Sequence, residues 1–136
     1  MAANTAPIFT NVPVNSWGTI ATANTAKDGT GTVVTVFTAD ATDGSYVKKL
    51  VARAAGTNVA TVLRIFLNNG SSNATPANNT LYAEMTLPAT TLSEVAALPG
   101  YEIMLDLQLA AAYKINCTIG TTVSAGYALT AVGGTY

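Results

Sequence analysis

The side chains in this 136-residue sequence best suited to acid–base or nucleophilic work are seven carboxylates and one thiol, and no histidine accompanies them. Histidine is the commonest general base near neutral pH and the commonest transition-metal ligand, so its absence removes both roles at once. Cys117 is the only cysteine. No zinc site can be assembled from Cys and His, and no disulfide can close within the chain. Residues 113–119 alternate, with Tyr113, Ile115, Cys117 and Ile119 on one side and Lys114, Asn116 and Thr118 on the other. That places the thiol on an apolar strand face, where a small core residue is expected rather than a nucleophile.

The carboxylates are Asp28, Asp40, Asp43, Glu84, Glu94, Glu102 and Asp106. A glycosidase would need two of them facing each other across a sugar. Glu84 and Glu102 both fall on polar strand faces, but cross-strand ion pairing with Arg53, Arg64 or Lys114 explains them more simply. Asp28, Asp40 and Asp43 offer oxygens of the kind calcium takes, yet their spacing lacks the alternation of an EF-hand loop, and Asp before Gly is ordinary turn chemistry. Gly29 and Gly31 look like a phosphate loop only superficially. No Lys-Ser or Lys-Thr pair follows them, and the next element reads as a strand, which presents no helix N-terminus to an anion. Asn69, Asn73, Asn78 and Asn116 stand in glycosylation-type triplets. Residues 1–7 hold no basic residue and no long apolar run, so no secretory signal gives those triplets meaning, and synthesis in the cytoplasm is expected. No metal or cofactor is expected.

The elements that must position these groups read as strands. Period-two alternation recurs along the chain, most clearly where Ile103, Leu105, Leu107 and Leu109 oppose Glu102, Asp106 and Gln108. It predicts strands near 17–23, 31–38, 45–55, 59–68, 80–87, 101–109, 112–119 and 124–132. Asp28-Gly29, Asp43-Gly44 and Asn69-Gly70 supply turns between them. The expected fold is all-β: a single antiparallel β-sandwich of about eight strands, jelly-roll-like, over residues 17–136. Residues 1–16 carry Pro7 and Pro13, which bars a central strand, and read as an extended N-terminal arm. A short helix at 90–98, capped by Thr91 and Glu94, competes with a strand or loop there. Residues 68–79 read as a long polar loop without structure of its own, for which mobility is expected.

Hydrophobic residues make up 49% of the sequence and charged residues 10%, with a net charge of −1. A chain of this length buries roughly 70% of its unfolded surface, so a full core is available without staples. The charge deficit argues against nucleic acid or an anionic membrane as partner, and no apolar run reaches the ~20 residues that span a bilayer. Sparse charge also leaves a surface poorly defended against association. The residues expected to make contacts are Ile8, Phe9, Val12 and Val14 in the arm, Trp17 beside it, and Tyr127 and Tyr136 flanking Gly133-Gly134. Packing on a sandwich end or edge, or stacking on a sugar, are alternative uses of Trp17.

Four segments carry a family resemblance: Val12-Pro-Val-Asn-Ser-Trp-Gly-Thr19, Asp28-Gly-Thr-Gly-Thr-Val-Val-Thr-Val-Phe37, residues 56–70, and the ending Ala128-Leu-Thr-Ala-Val-Gly-Gly-Thr-Tyr136. Together they resemble small structural proteins encoded in the genomes of tailed bacteriophages. The resemblance implies a virion component made in the host bacterial cytoplasm, without catalytic residues. The favoured form is a capsid decoration (cement) protein that binds the major capsid protein or other virion proteins as a homo-oligomer, with a trimer favoured. It also allows a tail or fibre-associated module. From another class, a carbohydrate-binding module or adhesin would show a platform of exposed aromatics.

Overall fold

Alternation in the sequence becomes eight strands in the computed structural model, which describes residues 9–136. These are β1 (Val12–Ile20), β2 (Val34–Thr38), β3 (Ser45–Ala54), β4 (Thr61–Asn68), β5 (Asn79–Leu87), β6 (Gly100–Leu109), β7 (Lys114–Ile119) and β8 (Tyr127–Thr135), with one 3-10 turn at Pro76–Asn78. They form two antiparallel four-stranded sheets, in the order β1-β8-β3-β6 in the first and β2-β7-β4-β5 in the second. Every connection except the β4–β5 hairpin crosses from one sheet to the other. That wrapping is a jelly roll, and it bears out the all-β sandwich expected from the sequence.

Inward-facing residues of both sheets build one core, which includes Val36, Leu50, Leu63, Ile65, Ile119 and Leu129, all fully buried. Each such side chain contributes roughly 1.5–3 kcal/mol by leaving water. Bulges keep the apolar side chains pointing inward where simple alternation fails. Ser45 and Val47 face the core, and then Leu50 and Ala52 do so, a change of parity absorbed by the irregularity between Val47 and Lys49. Opposite it, β6 accommodates an extra residue at Asp106, whose φ of 44° lies in the left-handed region.

Each of the four edge strands carries a feature that discourages pairing with another chain. Strand β1 holds Pro13, β2 is bulged between Thr35 and Phe37, β5 has an extra residue at Tyr82 opposite the Ile65/Phe66 step, and β6 has the Asp106 bulge. Only along β1 and β2 do the two sheets close on each other. A Cβ on Gly18 would sit 2.7 Å from Val34 Cγ1, so only glycine admits that approach.

Two sequence expectations need correction, and one open alternative is resolved. The first strand is Val12–Ile20 rather than 17–23, so residues 12–16, expected in the arm, belong to the sandwich. Pro13 is tolerated because β1 is an edge and bonds only to β8. Of the alternatives left open at 90–98, the chain takes the loop, with Thr90 in an isolated bridge with Asn58. Residues 68–79 are not a structureless loop, because their own asparagines tie them down.

Candidate interaction surface

Side chains at the same register position in neighbouring strands emerge on one side of a sheet. On the outer side of the first sheet, one row runs Trp17, Thr130, Val51, Glu102, and the next runs Asn15, Val132, Lys49, Met104. The left of this face is neutral and apolar, and the right is crossed by a Lys49–Glu102 ion pair at 3.2 Å. Trp17 is 73% exposed, since its neighbours Gly18 and Ile20 take the inward positions and the corner. Further along, Phe9, Thr10, Tyr46, Gln108 and Tyr136 line a shallow groove. Phe9 reaches it because Asn11 N–H donates to Thr135 O and Gly134 leaves room for residues 10–12; a Cβ there would lie 2.7 Å from Val12 O. Tyr46 donates its phenolic hydrogen to the Asp106 carboxylate, and that bond holds its pKa above 10.0.

The outer side of the second sheet is different, because the chain covers its centre over β7 and β4 itself, while β5 stays exposed at Tyr82 and Glu84. Phe66, Asn116 and Thr118 point away from the core, yet all are buried. The connection from β1 to β2 crosses above them. Asn24 N–H bonds Ile119 O at one side, while the far tip is held where Asn73 Nδ2 donates to Gly29 O and Gly31 O and Asn79 Nδ2 donates to Asp28 O. Asn24 closes the neck of this loop by donating to Thr30 O and Thr32 O.

Of the residues singled out in the sequence, Phe9 and Tyr136 share the groove, while Trp17 stands on the same outer face farther along β1, opposite Thr130. Val12 is exposed at its margin, and Val14 is half-buried on the inner side of β1. Ile8 lies outside the described residues. Tyr127 is corrected: it is fully buried at the start of β8, and burial pushes its phenol pKa up, so it is a core residue and not a surface anchor.

The carboxylates do not converge. Arg64 Nε bonds Glu84 Oε1 at 2.9 Å on the outer face of the second sheet, while Glu102 occupies the outer face of the first. The sandwich therefore separates the two groups that a glycosidase would need to bring together. Asp28 accepts from the hydroxyl and N–H of Thr30, and Asp40 from the N–H groups of Asp43 and Thr42; these bonds lower both pKa values. Among the described residues, no group of three or more Asp, Glu or Cys is arranged to hold a metal ion. Cys117 is sealed in the core, where desolvation pushes its thiol to about 12. No described helix is long and apolar enough to cross a membrane.

Comparison with protein families, curated proteins and solved structures returns no match.

Sequence reasoning missed three features. Tyr46, Val51, Met104 and Val132 belong to the open face, and only the register shows it. Asn58, just before the strand read at 59–68, is buried and accepts from Ala125 N–H and Gly126 N–H while donating to Gly126 O. Val95, on the segment where helix, strand and loop competed, stands 97% exposed.

Proposed function

We propose that this chain is a non-enzymatic structural protein of a tailed-bacteriophage virion that decorates the capsid, binding the major capsid protein with the open face of its first sheet. The observation that carries the reading is the inequality of the two sheets. One outer face is roofed at its centre by the chain's own loop, and the other presents Trp17, Phe9, Tyr46, Tyr136, Val51 and Val132 to its surroundings. Aromatic anchors beside the uncharged strands β1 and β8 suit a protein contact repeated many times over a particle, where avidity offsets modest affinity per copy. The jelly roll is an architecture that viral capsid proteins use, although it also serves lectins and cupins and does not by itself assign a role. Tail or fibre attachment through the same face is the nearest variant.

The test is co-sedimentation with purified capsids. Trp17→Asp is expected to abolish binding while leaving the far-UV circular dichroism unchanged, because the side chain makes no part of the core. Binding that survives both Trp17→Asp and Phe9→Asp overturns the assignment of this face, and failure of the parent chain to bind capsids or tails overturns the virion reading.

Exposed aromatics along one sheet face also favour a second reading, a carbohydrate-binding module, since stacked rings and a tyrosine hydroxyl suit a sugar. Glycan-array binding that is lost in Trp17→Ala, without binding to capsids, selects that reading.

A further inference from the structure

Three loops meet at one end of the sandwich: 55–60 between β3 and β4, 88–99 between β5 and β6, and 120–126 between β7 and β8. A small buried polar cluster locks them together. Asn58 reaches Ala125 and Gly126 with its amide, its backbone pairs with Thr90, and the Thr90 hydroxyl donates to Gly56 O at 2.8 Å. Leu92 N–H donates to Thr57 Oγ1, and the Ser124 hydroxyl donates to Thr57 O, so the outer layer is fixed as well.

What this fixed end displays is apolar. Val59 is 56% exposed, Leu92 53% and Val95 97%. Around them stand Ala, Thr, Ser and Gly, and Glu94 is the only charged residue in the three loops. A side chain exposed as fully as Val95 adds nothing to the fold of the single chain.

We infer that this end is a contact between copies of this chain. The argument is one of charge. Symmetric association brings a surface against itself, so every charge near the symmetry axis meets its own copy, and like charges in contact oppose binding. A surface that associates with itself is best kept neutral and apolar near the axis. This end has that character, whereas the opposite end carries Asp40, Asp43 and Lys114, and the outer faces carry ion pairs. A contact with a charged partner would instead call for complementary charges, and the three loops offer only Glu94. The hydrogen-bonded base pre-organises the loops, so little ordering cost is added on association. Strand pairing is not the route, because each edge strand is bulged or holds proline.

The contact does not depend on the capsid reading, which concerns a different surface. Light scattering coupled to size exclusion, run on the full chain over a wide concentration range, tests it. The parent is expected to show a mass above that of a monomer. Val95→Asp places a charge against its own copy and is expected to weaken association roughly 100-fold, as loss of a hot-spot residue does. Glu94→Gln removes the one charge of the three loops, leaving Arg53 at their margin beside Gly100, and is expected to hold or tighten association. Trp17→Asp is expected to leave the mass unchanged, which separates this contact from capsid binding. A parent that stays monomeric at every concentration overturns the proposal, as does a Val95→Asp chain, folded by circular dichroism, that associates as tightly as the parent.

Discussion

Asparagine holds both ends of the sandwich, but in opposite ways. At the end formed by 55–60, 88–99 and 120–126, a single buried amide, that of Asn58, bonds two N–H groups and one carbonyl of the β7–β8 connection. At the other end, several amides share the work near the surface. Asn68 donates to Asn79 Oδ1, Asn69 to Asn78 Oδ1, Asn78 to Ser72 O, and Asn79 to Asp28 O and Asn73 O. Water can replace most bonds of the second set, whereas both bonds to Gly126 in the first are buried. The first end therefore stands or falls as a unit and spends its surface on apolar side chains, while the second is a polar mesh that can open a piece at a time.

The sharpest test of that contrast removes the buried amide. Asn58→Ala leaves the N–H groups of Ala125 and Gly126 without partners at this largely buried end, while the Gly126 carbonyl keeps its bond from Ala55 N–H. The expected loss is about 3 kcal/mol, since each buried orphan costs about 1–3 kcal/mol and the losses overlap. Urea unfolding should show a lower midpoint with an unchanged slope. A loss below about 1 kcal/mol would mean that water enters this end, and the contrast with the other end would collapse.

Removing an amide from the mesh should matter less. Asn79→Ala deletes bonds at 3.2 Å to Asp28 O and 2.9 Å to Asn73 O, and leaves the Asn68 amide without its acceptor. About 1 kcal/mol is expected, with faster amide hydrogen exchange confined to 24–32 and 69–78. If exchange also quickens in β4, the mesh is coupled to the sheet and is not a surface device.

Chemistry at Asn69-Gly70 offers a finer probe of the same mesh. Deamidation needs the Gly70 nitrogen to attack the Asn69 side-chain carbon, releasing ammonia. In the folded chain Gly70 N–H is engaged by Asn68 Oδ1 at 2.8 Å, while Asn69 Oδ1 accepts from Ser71 N–H and its amide nitrogen donates to Asn78. Asn69 is expected to deamidate more slowly in the native protein than in the urea-unfolded chain, and Asn78→Ala should narrow the gap. Peptide mass spectrometry after incubation checks both, and equal native and unfolded rates would show the mesh to be open most of the time.

The two ends also differ in how far the sequence disclosed them. Strands announced themselves wherever burial alternates, as in Ile103, Leu105, Leu107 and Leu109, because a half-buried strand imposes period two on residue type. The start of β1 was hidden by Pro13, which argues against a central strand but is harmless on an edge. Glu84 pairs across strands with Arg64 as read, and Glu102 pairs across strands with Lys49, a partner not foreseen; their separation onto opposite faces depends on strand order, which residue type does not encode. Asn58 and Asn79 are the same residue type in similarly polar company, yet one is buried and the other is not. Nothing local distinguishes them, since burial of Asn58 comes from loops more than thirty and sixty residues away in sequence. Tyr127 was taken for a surface anchor for the same reason.

Acid should reveal the last and smallest difference. Asp28 and Asp40 both have lowered pKa values, the first chiefly through the Thr30 hydroxyl and the second through Asp43 N–H. Asp40 sits in the β2–β3 turn, and Asp28 lies on the loop tip that Asn79 holds, so both belong to the mesh end. A carboxyl whose folded pKa lies below its ordinary 3.8 favours the folded state above that pH, and the contribution fades as pH falls through the folded value. Both groups are exposed, so the effect is local and small. Below pH 3.8, amide protection should therefore decline first around Thr30, Thr42 and Asp43, while the N–H groups of Ala125 and Gly126, bonded to a side chain that does not titrate, keep theirs. NMR-detected exchange across an acid series checks the order. Simultaneous loss at both ends would mean that the mesh opens only with the whole fold, and the division between a buried pin and a surface net would have to be given up.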